Sequence, residues 1–226
     1  RALIIGIDDY PDAPLHGCVN DARTVATTLE KNGDGSPNFA VRLLTSDAGA
    51  VTSEEMAGAV DELFKADAEI ALLFFAGHGA INPETNSGYI VSQDGRRGSW
   101  GVSLSEIIAL ANAAYPRIRS TVIILDSCHS GFAGEVTGAN KGEVSIIGTG
   151  VTILTASHRQ GSAGEAQGHG IFTDMLVDAL TGSAADICGR ITPASVYSHI
   201  DQALGPWEQR PVYKANVQTF ITLRGV

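Results

Sequence analysis

The chain has 226 residues, 44% hydrophobic and 18% charged, which suits one ordinary globular domain with a full core. Its 15 Lys and Arg against 25 Asp and Glu leave a net charge of −10, a field that repels nucleic-acid backbones and anionic membranes. Three scattered cysteines, Cys18, Cys128 and Cys188, are too few for a disulfide framework, so a reducing, cytoplasmic compartment is expected.

The elements follow in order. ALIIGI (2–7) reads as a buried strand, and DARTVATTLEKNG (21–33) as a helix ending on Gly33 as its C-cap. FAVRLL (39–44) is a second strand. Thr52 with Glu55 forms a capping box that opens a second helix, and IALLFFA (70–76) is a third strand, too short at seven residues to span a membrane. Residues 82–101 look irregular. Ser103 with Glu106 opens another helix, and STVIILD (120–126) is a fourth strand, followed by a glycine-rich irregular stretch, 129–150. VTILTA (151–156) and VQTFITL (217–223) complete six strands, with a helix starting at Thr192 and Pro193 between them. No signal segment opens the sequence. Because the first residue is Arg1, the domain is expected to come from a longer protein.

Near-continuous apolar strands alternating with helices imply a mostly parallel sheet covered on both faces. Ligands of such sheets sit at the carboxyl ends of the strands. Two strands end there in reactive groups: His78 in IALLFFAGHG and Cys128 in VIILDSCHSG. A thiolate with an imidazole in reach is a nucleophile with its base. Two other readings stand beside it, a buried inert thiol and a zinc site from His16, Cys18, His78 and Cys128. The second lacks the usual ligand spacing. A second GHG triplet holds His169, but that histidine precedes a helix instead of ending a strand. His129, adjacent to the thiol, suits a structural hydrogen bond.

The motifs FAGHG (75–79), DSCHSG (126–131), LHGCVNDA (15–22), GHGIFTDMLVDAL (168–180) and LTASHRQGSAGE (154–165) resemble metacaspases and bacterial caspase-like peptidases. The 50 residues from His78 to Cys128 fit that resemblance. It implies an α/β fold, a caspase-like three-layer sandwich with a mostly parallel six-stranded sheet. The single peptidase domain would span 1–226, with 1–140 like a large subunit and 142–226 like a small one. It further implies a cysteine endopeptidase using Cys128 and His78, with the oxyanion held by the N–H groups of Gly79 and Cys128. Asp126, Asp21 and Cys18 match the lining of an acidic pocket that accepts Arg or Lys, although Asp21 reads equally well as a helix cap.

Two departures from the family pattern matter. Ala76 stands where many metacaspases carry a pocket serine. The acidic cluster that binds calcium in many of them is reduced to Asp94, Glu106 and Glu135, with Arg96 and Arg97 intruding, so neither metal nor cofactor is expected. Lys141, in the linker after the nucleophile, reads as an autocleavage point or an ordinary solvated lysine, and Arg159 as a loop residue near the substrate groove. The expected partner is a peptide with Arg or Lys before the scissile bond, not nucleic acid or membrane. A non-proteolytic interaction or scaffold module on the same fold is the alternative.

Overall fold

The computed structural model describes residues 1–127, 147–156, 165–166, 169–204 and 210–226. Its centre is a six-stranded sheet built from β1 (Ala2–Gly6), β2 (Val41–Thr45), β3 (Ile70–Ala76), β7 (Ser120–Asp126), β8 (Val151–Thr155) and β12 (Val212–Asn216), in the spatial order β12-β8-β7-β3-β1-β2. Every pairing is parallel except that of β12 with β8. This is the expected mostly parallel sheet.

Side chains alternate between two cores, as a strand covered on both faces requires. Leu3, Ile5, Leu73, Phe75, Ile123 and Leu125 pack on one face with α2 (Ser53–Lys65) and α3 (Leu104–Ala114). Ile4, Leu72, Phe74, Val122 and Ile124 pack on the other with α1 (Cys18–Glu30), α4 (Ile171–Asp178) and α5 (Pro193–Ala203). The helix starts read from the sequence are made: Thr52 and Ser103 accept from the N–H groups of Glu55 and Glu106, and Thr192 and Ser195 form a reciprocal box with Pro193 in the first turn.

Three expectations are corrected. Residues 82–101 are not irregular: β4 (Gly79–Asn82), β5 (Ser87–Arg96) and β6 (Ser99–Ser103) form an antiparallel sheet whose Ile90, Val91 and Val102 join the α2/α3 core. Its glycines and serines carry little intrinsic strand preference, and burial of those three side chains overrides that. The sixth strand is Val212–Asn216, not 217–223. An edge strand covered on one side does not need a continuous apolar run, and of the run that looked like a strand, Leu223 enters the core while Phe220 is 89% exposed. Helix α1 begins at Cys18 and gives way at Lys31 to extended backbone, so Gly33 is no C-cap. It packs instead against the C-terminal segment, where its N–H donates to the Gly225 carbonyl at 2.7 Å.

Among the described residues, no helix is long and apolar enough to cross a membrane.

Candidate active site

Strands β3 and β7 are parallel neighbours with Ala76 opposite Asp126, and the Gly77 N–H donates to the Asp126 carbonyl at 3.3 Å. His78 is two residues beyond its paired strand position, and Cys128 is two residues beyond the matching one in sequence. Cys128 itself lies outside the described residues, as do His129, Glu135, Lys141 and Arg159.

The loop between β1 and α1 holds His78 in place. Its Nε2 stands 2.7 Å from the Ala13 carbonyl oxygen. A carbonyl only accepts, so Nε2 carries the proton, and the neutral imidazole presents Nδ1 as its basic atom. The ring lies against Tyr10, with centroids 4.5 Å apart and planes tilted by 55°. The Tyr10 hydroxyl accepts from the His78 N–H at 3.0 Å and donates to the Val91 carbonyl at 3.0 Å. Burial pushes this phenol well above its ordinary value. A Cβ at Gly77 would lie 2.6 Å from that hydroxyl and 2.8 Å from the tip of the Phe75 ring, so any larger residue there has to displace them.

Gly79 pairs with Ile90 while the Val91 N–H donates to the His78 carbonyl at 2.9 Å. This makes Gly79–Ile90 a non-hydrogen-bonded pair and turns the Gly79 N–H away from β5.

Carboxylates gather on the α1/α4 side of the same edge. Gly17, with φ at 108°, turns the chain into α1 without a side-chain cap of its own. Asp8 supplies the cap from β1's end: its two carboxylate oxygens accept from the N–H groups of Cys18 at 2.9 Å and Val19 at 3.2 Å. The capping reading of Asp21 is thereby corrected. Asp21 sits inside the first turn, 2% exposed, and its Oδ2 accepts from the Gly170 N–H at 3.1 Å. Half-buried Asp126 accepts from the Thr173 hydroxyl at 2.6 Å. Both carboxylates crowd Gly170, where a Cβ would lie 2.9 Å from Asp126 Oδ2 and 3.3 Å from Asp21 Oδ2. Burial pushes the Cys18 thiol far above its ordinary value, and the charges of Asp8, Asp126 and Asp21 push it further. The three expected pocket residues are therefore together, at a point of concentrated negative potential. Ala76, fully buried, sits beside Asp126 in the sheet register.

His169 lies in the two-residue strand β10 (His169–Gly170), directly before α4, at the helix start expected for it. Asp94 has other work than metal binding: its Oδ1 accepts from the Ser53 N–H at 2.8 Å and the Ser92 hydroxyl at 2.7 Å, and the Ser92 bond holds its acidity up. Among the described residues, no group of three or more His, Cys, Asp or Glu side chains could hold a metal ion.

Sequence reasoning passed over Asp8, Tyr10, Ala13, Gly170 and Thr173. For the first three, one signal was available, since they lie in the loop leaving a strand's carboxyl end, where such sheets place their ligands.

A family model for the caspase domain matches residues 1–220. Metacaspase-1A of Aspergillus oryzae is 33% identical over 147 residues, which cover 59% of this chain and 35% of that protein. The chain thus matches little more than a third of that relative's length. Among solved structures, Caspase-1 from Spodoptera frugiperda superposes with a TM-score of 0.68 at 12% identity, covering 99% of this chain and 89% of that one. Protein GSU0716 from Geobacter sulfurreducens does so with a TM-score of 0.67 at 17% identity, covering 96% of this chain and 93% of that one. At these identities the likeness is one of fold.

Proposed function

The chain belongs to the caspase-domain family, and on that premise we propose that it is a cysteine endopeptidase of metacaspase type, cutting peptides after Arg or Lys. The observation that carries the reading is the bond from His78 Nε2 to the Ala13 carbonyl, which leaves Nδ1 as base at the end of the strand beside the one leading to Cys128.

In the reaction, Nδ1 takes the proton from the Cys128 thiol and the sulfur attacks the scissile carbonyl carbon. The N–H groups of Gly79 and Cys128 hold the oxyanion. The carbon–nitrogen bond breaks, the amine leaves with the proton from Nδ1, and water then hydrolyses the thioester to return the thiol.

Selectivity for a cationic side chain is supported by the carboxylates of Asp126 and Asp21 meeting at Gly170, beside Cys18. A guanidinium or ammonium there finds charge-assisted acceptors. Cleavage after Lys141, in the linker after Cys128, would divide the chain into parts 1–141 and 142–226. The site as read uses no metal.

The test is a peptide-library cleavage profile with and without a strong chelator, together with an arginyl acyloxymethyl ketone as covalent probe. Cutting after Arg and Lys, indifferent to the chelator, with the adduct on Cys128 by peptide mapping, is the expected result. An intact library and an unlabelled Cys128 would leave the scaffold-module reading in its place.

A further inference from the structure

A cleft of about 640 Å³ opens beside His78 and is lined by His78 and Gly79 but by none of Asp8, Cys18, Asp21 or Asp126. Its far wall belongs to β5 and β6, which pack with the α2/α3 core, whereas the carboxylates sit on the α1/α4 side. The cleft therefore lies across the histidine from the acidic pocket.

Its lining carries both signs of charge, Arg96 and Arg97 with Asp12 and Asp94, where the acidic pocket has carboxylates alone. Arg96 and Arg97 line it, both exposed, and neither forms an ion pair among the described residues. Asp94 lines it too: its Oδ1 accepts from Ser53 and Ser92, its charge is also favoured by nearby Arg96, and Arg97 is the arginine farther along the chain from it. Asp12, exposed, also lines it without pairing with either arginine. Half-buried Trp100 and buried Val91 give it an apolar surface.

We infer that this cleft receives the peptide on the leaving side of the scissile bond and selects an acidic side chain at the first or second residue after the cut. The inference rests on the endopeptidase reading above. His78 has to reach the leaving nitrogen to protonate it, so the chain beyond that nitrogen passes His78 and enters the space that His78 and Gly79 line. There a carboxylate meets two guanidinium groups, whose planar forks match it bidentately, while its methylenes lie on the indole. The chain's own linker has this pattern: Lys141 is followed by Gly142 and Glu143.

The experiment uses quenched-fluorescence peptides copying residues 137–146, with Glu, Gln or Lys in place of Glu143, and an arginyl aminocoumarin amide that has no residue after the cut. In the wild-type chain, kcat/KM should fall from Glu through Gln to Lys by about tenfold or more, as charge complementarity to a partly solvated pair gives. Arg96→Glu with Arg97→Glu should invert that order. If that double variant fails to melt cooperatively, Arg96→Gln with Arg97→Gln takes its place and should flatten the series. Equal rates on the three peptides in the wild type, with the aminocoumarin amide still hydrolysed, would overturn the cleft assignment and leave the endopeptidase reading standing. A series unchanged in the variants would overturn it too. Failure of the wild type on every substrate, the amide included, would remove both.

Discussion

The hydroxyl of Tyr10 stands between the N–H of His78 and the carbonyl of Val91, 3.0 Å from each, where an uninterrupted β4–β5 ladder would join those two groups directly. The ladder is opened by the width of one hydroxyl at the residue proposed as the base. The same phenol ring supports the imidazole. Tyr10 thus fixes His78 at backbone and ring together.

Replacing Tyr10 by Phe keeps the ring contact and deletes the bridge, leaving a backbone donor and acceptor without it. Thermal or denaturant unfolding should show a loss of roughly 1–3 kcal/mol, the cost of stranding such groups. We expect kcat to fall on the order of tenfold with KM little changed, because the base is displaced while the carboxylate side is untouched. Kinetics identical to the wild type would show that His78 is positioned by the Ala13 bond alone.

Cys128→Ala and His78→Ala should each reduce peptide hydrolysis by on the order of 10³-fold or more, and the double variant should be no worse than the poorer single one. Groups that act as one unit are not lost twice. Circular dichroism alongside the kinetics separates this from unfolding. Additive losses would mean that the thiol and imidazole serve different steps.

Asp126→Asn preserves a carbonyl oxygen for the Thr173 hydroxyl while removing the charge. Specificity constants for Arg peptides should drop by about 3 kcal/mol, the scale of breaking a desolvated charge pair, and those for a Gln peptide much less. A matched series varying only the residue before the scissile bond decides it. Faster cutting after Asp than after Arg or Lys in the wild type would contradict the acidic pocket.

The Cys18 thiol and Tyr10 phenol both hold their protons more tightly in the folded chain than at their ordinary values of 9.0 and 10.0. A raised folded value gives stability that is complete below the ordinary value and lost as the pH climbs above it, because the unfolded chain ionises first. Urea midpoints should therefore hold from pH 7 to about 8.5 and decline beyond about 9, less steeply in Cys18→Ala. At neutral pH a small alkylating agent should modify exposed Cys188 well before Cys18. Rapid Cys18 labelling would contradict its burial among carboxylates.

The fold was legible wherever burial wrote itself into a local pattern. Strands such as Ile70–Ala76 and Ser120–Asp126 are apolar on both sides because both faces are covered, and their bounds were readable to the residue. Strand β12 and the β4-β5-β6 sheet were not, since what makes them strands is pairing with neighbouring strands and not a run of apolar residues: Tyr213 with Leu154, Ile90 with Gly79 and Val102. The same division runs through the site. His78 and the Asp126–Cys128 segment carry chemical types in a recognisable spacing. Ala13 contributes only a carbonyl oxygen, and any residue has one, so no side-chain identity announces its contact with His78. Gly170 acts through its N–H and its lack of a Cβ, and Thr173 through a contact with a residue 47 positions away.

One short loop, residues 7 to 17, touches both sides of the proposed site at once. Asp8 fixes the helix carrying Cys18 and Asp21, Ala13 orients the imidazole, and Asp12 reaches the arginine-lined cleft. In the proposed reaction, recognition and proton transfer are therefore tethered to a single piece of backbone, and a displacement that improves the fit of one side group drags the proposed base with it. Retuning selectivity without losing rate has an easier route through the opposite wall. Among the described residues, Gly170 and Thr173 touch the carboxylates from the α4 side without a hydrogen bond to His78, so exchanges there can reshape the proposed cation seat while the imidazole stays put.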